Sequence, residues 1–249
     1  MPAALDHQSI PIENYILRSL PAADYERISP HLQPVQLSHS EVLYEPDQTI
    51  QSVYFPNLGI VSLVAQDAKG QSVEVGIVGF EGLVGLSTAL NVDKSSFHVV
   101  VQLPNSGFRM NVRAFQDEFK RGGALHDLVL RYTHSLLLHT SQLAVCNRLH
   151  SLSERLARWL LMSYDRCKCT DLPFTHEFLA LMLGVRRAGV TEAAIILQAE
   201  GYIRYTRGQI TILDKEGLEE HTCECYPLLR QDFNSLVGEG VTNHKLLHV

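Results

Sequence analysis

No apolar run in this 249-residue chain approaches the roughly 20 residues that a membrane-spanning helix needs. Acidic and polar residues open it, where a secretory leader needs a basic start and an apolar stretch. No membrane partner is expected, and a cytoplasmic location follows. Charged residues are also sparse, at 19% against 45% hydrophobic, which suits a soluble globular chain long enough for two modest cores. Cysteine is scarce. All five lie at or beyond Cys146, and an odd number in a cytosolic chain speaks against a disulfide framework. Cys167/Cys169 and Cys223/Cys225 form two Cys-x-Cys pairs that invite a metal or redox reading. Neither has the usual Cys-x₂₋₄-Cys zinc spacing, so free thiols, no metal ligand and no identified cofactor are expected. Twelve histidines and several serines carry no nucleophile-elbow, P-loop or metal-ligand signature, so the chain does not read as an enzyme.

Glycine and proline are absent between Ala124 and Leu172, a gap expected only of long helix. Upstream the texture is the opposite. Residues 12–33 read as short helices broken at Pro21, Pro30 and Pro34. From Val35 to Met110 come short β-like runs at 41–44, 53–55, 60–65, 72–78 and 97–103, separated by glycines and prolines. Alternation in Ser-Val-Glu-Val-Gly-Ile-Val (72–78) predicts half-buried strands, and the even spacing a small antiparallel roll. Within the long helix, Leu125, Val129, Tyr132, Leu136, His139, Leu143 and Cys146 recur at spacings of four and three, a seam able to pair with a second copy of itself. Ser151-Leu-Ser-Glu154 is a capping box, so a second helix starts there and His150–Ser151 is a candidate hinge.

The most informative stretch lies beyond that helix. In Pro-Phe-Thr-His-Glu-Phe-Leu-Ala-Leu-Met-Leu-Gly-Val-Arg-Arg-Ala-Gly-Val-Thr-Glu (173–192), Ala180, Gly184 and Val190 suit two short helices meeting at a glycine turn. A strand–turn–strand ribbon carrying Arg204 and Arg207 comes next. A helix-turn-helix with a basic wing holds a helix in the major groove of DNA. The net charge of −6 fits once divided: residues 151–213 hold 8 Lys+Arg against 6 Asp+Glu, while 1–150 hold 10 against 14 and 214–249 hold 3 against 7. Only the helix-turn-helix block is positive, and phosphate binding follows the local field.

A β-roll, a long dimerising helix and a C-terminal winged helix, in that order, resemble the Crp/Fnr family of bacterial transcription regulators. The resemblance covers roughly residues 12–226 and is strongest in Val-Tyr-Phe-Pro (53–56), in Arg-Leu-His-Ser-Leu-Ser-Glu-Arg-Leu-Ala-Arg-Trp-Leu-Leu (148–161) and in the winged helix-turn-helix. It implies an α+β fold with a sensor roll at 12–122, a dimerisation helix at 123–150, a DNA-binding unit at 151–226 and a tail at 227–249, loose from 238. It further implies a homodimer on a pseudo-palindromic site in double-stranded DNA, controlled by a signal at the roll, with RNA polymerase as a further candidate partner. The matching effector stretch is Gly79-Phe-Glu-Gly-Leu-Val-Gly-Leu86, with Lys94, Ser95 and Ser96 beyond it. Gly79, Glu81, Gly82, Leu83, Lys94, Ser95 and Ser96 are therefore the pocket candidates. Glu81 precedes its glycine instead of following it, and Asp93-Lys-Ser-Ser-Phe97 replaces the expected arginine. Cyclic-nucleotide binding is in doubt for want of a guanidinium.

DNA contacts are expected from Thr175, Arg186, Arg187, Thr191, Glu192 and Arg207. Arg187 keeps the guanine-reading place, Arg186 reaches phosphate or base, and Arg207 reaches phosphate from the wing tip. Thr175 is an N-cap whose neighbouring amides could hold a phosphate. Ala188 and Glu192 depart from the best-known recognition helix, so the half-site should differ. The competing reading is a ligand-sensing or scaffold protein whose winged helix contacts other proteins.

Overall fold

The computed structural model describes residues 10–238. Two short helices, α1 (Tyr15–Arg18) and α2 (Ala22–Ile28), precede seven strands: β1 (Leu32–Leu37), β2 (Val42–Tyr44), β3 (Ser52–Pro56), β4 (Ile60–Gln66), β5 (Ser72–Val78), β6 (His98–Leu103) and β7 (Asn105–Asn111). They pair antiparallel into a sheet of order β1-β7-β3 and one of order β2-β6-β4-β5. Val53, Phe55, Val61, Val78, Val99, Val101 and Met110 fill the space between. Two strands escaped the pattern reading. β1 carries Pro34, tolerated because β1 is an edge strand, and β7 begins Asn-Ser-Gly, a composition that reads as turn.

Helix α3 (Val112–Arg121) leads through Gly122 and Gly123 to the 26-residue α4 (Ala124–Leu149). Then come α5 (Leu152–Cys167), β8 (Asp171–Leu172), α6 (His176–Leu183), α7 (Arg187–Ala199), the hairpin β9 (Ile203–Thr206) and β10 (Gln209–Ile212), α8 (Lys215–His221) and α9 (Cys225–Val237). Ser151 and Glu154 form the reciprocal capping box that starts α5. The expected tail at 227–249 is thus a helix as far as Val237: Phe233, Leu236 and Val237 are buried in the roll's core, with Phe233 edge-on to Phe80 at 5.6 Å. Residues 239–249 lie outside the described residues. Among those described, no helix is long and apolar enough to cross a membrane.

The expected dimer seam is an intramolecular one. Leu125, Val129, Tyr132, His139, Leu143 and Cys146 are buried within the protomer, and Leu136 lines a cavity in the roll. At 100° per residue the opposite side of α4 carries Leu130, Leu137, Ala144, Val145 and Leu149, all exposed, with Leu137 at 66%. A helix apolar on two faces offers two seams, and spacing alone does not say which one its own chain covers.

His139 lies under α5 and α9 instead of facing a second copy. Burial, then the guanidiniums of Arg166 and Arg158, hold its pKa well below the usual histidine range. The folded chain keeps it neutral, whereas the unfolded chain takes up a proton below about pH 6.5. Stability therefore falls as pH drops through about 6.5 towards the depressed folded value. His139→Gln is expected to flatten that loss, read from urea unfolding at about pH 7.5 and about pH 5.5. An equal acid loss in the variant assigns it to other groups.

Candidate nucleic-acid interface

Thr175 caps α6, its hydroxyl accepting from the Phe178 N–H at 3.1 Å. Gly184 ends that helix at φ +64°, a left-handed conformation that turns the chain within three residues into α7. The inner faces pack Leu179, Ala180 and Leu183 against Val190, Ala193 and Leu197 in one core with Trp159 and Leu160 of α5. Arg186 is the N-cap residue of α7 and Arg187 its first residue, and both are exposed. The Arg187 guanidinium stands 3.9 Å from the Glu177 carboxylate with 70% of its side chain in solvent. So loose and exposed a pair contributes little and leaves Arg187 free to engage a partner.

The wing is a three-stranded sheet, β8-β10-β9. Thr206 pairs with Gln209, so Arg207 and Gly208 alone make the turn, at φ +50° and +86°. Two positive φ values define the tight hairpin turn whose twist suits the strands, and Arg207 stands at its tip. His176 stacks on Tyr205 at 3.9 Å and its Nδ1 lies 3.0 Å from the Thr191 hydroxyl, which ties α6, α7 and wing into one body. The half-buried Thr191 hydroxyl donates to the Arg187 carbonyl and faces His176. Thr175, Arg186, Arg187, Glu192 and Arg207 remain exposed. Pattern reading missed Ile195, which is 58% exposed on α7 three residues beyond Glu192. The signal was present, since the helix needs only Val190, Ala193, Ala194 and Leu197 for its core.

The expected effector residues divide. A cavity of about 200 Å³ lies between the roll and α4, walled by Tyr44, Leu63, Leu83, Val99 and Leu136, with Ser95 and Ser96 at its polar side. Among the described residues, none of its lining side chains is charged, and such a wall does not hold a phosphodiester anion. Gly79, Glu81 and Gly82 do something else. A Cβ on Gly82 would come within 2.2 Å of the Tyr132 ring, and one on Gly79 within 2.8 Å of Arg166. These glycines let the loop press onto α4 and α5. Glu81, 2% exposed, accepts from Arg166 Nε at 2.8 Å and from the Gly79 N–H. Lys94 is exposed, in an isolated bridge with Thr49, and is not part of the cavity wall.

A second buried link crosses the same boundary: Trp159 Nε1 donates to Glu74 Oε1 at 2.8 Å, and the Ser62 hydroxyl bonds the other oxygen. Desolvation pushes the Glu74 carboxyl above the usual carboxylate range against those two bonds. Helix α6 also rests on the roll, with Gln102 Nε2 3.7 Å from Met182 Sδ. The helix-turn-helix unit is docked on the roll of its own chain.

The cysteines are not all free thiols as expected. Cys167 and Cys169 are joined as a disulfide. Cys223 and Cys225 meet Cys146 and His150 at the α4–α5 junction.

An α-helical pair with a glycine turn and a two-residue basic wing defines a winged helix-turn-helix protein. Residues 154–221 match the Crp-like helix-turn-helix domain family. FixK2 from Bradyrhizobium japonicum superposes with a TM-score of 0.65 at 15% identity, over 77% of this chain and 98% of that one. A Crp-family transcriptional regulator from Thermus thermophilus gives 0.62 at 20%, over 75% and 95%. The c-di-GMP-responsive global regulator CLP from Xanthomonas campestris gives 0.57 at 18%, over 77% and 99%. No curated protein matches by sequence. This chain carries a Crp-like helix-turn-helix domain and has the fold of the Crp/Fnr transcription regulators.

Proposed function

We propose that the protein is a homodimeric, sequence-specific DNA-binding regulator that reads a pseudo-palindromic site under control of a signal in its roll. The exposed, nearly unpaired Arg187 at the start of α7 carries this reading, beside the Arg207 wing tip. Arg187 reads guanine, Arg186 and Arg207 hold phosphates, Thr175 and the amides it caps hold another, and Glu192 accepts from cytosine. Ile195 meets a thymine methyl. The copies pair through Leu130, Leu137 and Val145. A signal molecule occupies the cavity walled by Leu83 and Leu136 and is small and largely uncharged. Its action runs through α4 to the Ser151 junction and changes the spacing of the two recognition helices towards about 34 Å, one DNA turn. Such control requires different affinities for the two arrangements.

Selection from a random DNA pool at physiological salt is expected to yield a two-fold-related motif. Arg187→Ala should cost about 1–3 kcal/mol of discrimination at one base pair of each half-site, while Arg207→Ala weakens all sequences alike and lowers the salt slope. A pool with no enriched palindrome overturns the reading. Retention of a protein partner by Arg187→Ala, without any DNA preference in the parent protein, is what a scaffold would show.

A further inference from the structure

We infer that Cys146, His150, Cys223 and Cys225 form a tetrahedral site for one soft divalent cation, zinc, which staples the end of α4 to the turn before α9. Their four donor atoms lie within 4.8 Å of one another, and the three cysteines are buried. Cys146 Sγ and Cys223 Sγ are 3.6 Å apart, and Cys225 Sγ is 3.4 Å from His150 Nδ1. Zinc–sulfur bonds of about 2.3 Å and zinc–nitrogen bonds of about 2.0 Å at tetrahedral angles place neighbouring donors roughly 3.5–3.8 Å apart. The spacings fit a single ion. A polynuclear iron–sulfur cluster needs sulfurs held farther apart around it.

Three further arrangements support the site independently of these spacings. His150 turns Nδ1 to the sulfurs and brings Nε2 within 3.2 Å of the exposed Glu224 carboxylate. A metal-bound imidazole whose other nitrogen donates to a carboxylate is the usual outer-shell arrangement, since it fixes the tautomer and ring direction. Gln142 Nε2 donates to Cys225 Sγ at 3.1 Å, a bond that supports a thiolate. Arg158 lies beside Cys146, 2% exposed, with its Nε unpartnered and no ion pair among the described residues. Three thiolates, one neutral imidazole and a divalent cation carry a net charge of −1. That supplies the counter-charge the buried guanidinium lacks.

The spacing hid the site. One half is Cys-x₃-His, one turn of helix at the C-terminal end of α4, and the other is Cys-x-Cys across the start of α9. Neither is a zinc signature alone. Folding joins them at the junction where α4 ends and α5 begins, so the ion braces the hinge on which any movement between roll and winged helix turns.

Full-length protein purified under reducing conditions from zinc-supplemented cells should hold about one zinc per chain by elemental analysis. Exchange for cobalt should give the visible bands of a tetrahedral ion together with sulfur-to-cobalt charge-transfer bands. Cys223→Ser/Cys225→Ser should lose the stoichiometric zinc, and Cys167→Ser/Cys169→Ser should retain it. Chelation of the parent protein should lower its melting temperature, and zinc should restore it. These cobalt and chelation readouts use the unmutated chain, so misfolding of a variant does not obscure them. A reduced, zinc-exposed protein with no stoichiometric metal and no tetrahedral cobalt spectrum overturns the proposal. So does metal content unchanged by Cys223→Ser/Cys225→Ser.

Discussion

Arg166→Met is expected to destabilise the protein by about 3–5 kcal/mol, because it strands the buried Glu81 carboxylate without its counter-charge. The pair is almost wholly out of water, with side chains 7% and 3% exposed, and Glu81 Oε2 already lacks a partner. Arg166 has a second tie, from Nη1 to the Met162 carbonyl, and its guanidinium lies 5.3 Å from the Phe233 ring. One side chain therefore connects the roll, α5 and α9. The double variant Glu81→Leu/Arg166→Met should recover most of the loss, since replacing both charges by apolar groups of similar volume is often close to neutral. Urea unfolding of the parent, both single variants and the double variant gives the coupling directly. If the single variants cost less than about 1 kcal/mol, as exposed pairs do, the link is not a buried clamp. The double variant also tests control. Freed of one buried tie, the winged helix should move more readily against the roll, and its DNA affinity should depend less on any signal.

Much of this architecture was legible because local chemistry and the tertiary fold agree. The capping box at Ser151 starts a helix in any context, and Gly184 bends the chain because its φ is positive. The punctuated β-texture and the unbroken helix stretch likewise follow from residue type. What stayed hidden depends on what lies across the gap. Glu81 and Gly82 are pocket candidates only through the family resemblance, and Arg166 and Tyr132 occupy the space beside them. The contact of the Thr191 hydroxyl with His176, fifteen residues away, has no local signature either. α9 carries Phe233 and Leu236 at a helical spacing but follows an acidic, cysteine-containing turn, and its place is set by distant core residues such as Phe80. Cys146 and Cys223 are 77 residues apart, and no local pattern joins them.

Leu137→Asp is expected to turn a dimer into a monomer while leaving the protomer folded. Leu137 is 66% exposed, so the carboxylate costs the isolated chain little. In a paired helix seam it would face its own symmetry mate, placing two like charges in an apolar contact. Leu143→Asp is the contrasting variant. It lies in the seam first suggested by the spacing, but only 7% exposed within its own protomer, so an unpaired charge there should prevent folding. Circular dichroism and light scattering separate the outcomes: folded monomer for Leu137→Asp, unfolded chain for Leu143→Asp. DNA binding follows from the same change. With one half-site per monomer, the second contact is no longer intramolecular, and apparent affinity for a two-half-site fragment should fall about 10²–10⁴-fold. Affinity for a single half-site should be nearly unchanged, because Arg187 and the wing are untouched. A Leu137→Asp protein that remains dimeric would show that the copies meet through some other face than the exposed stripe of α4.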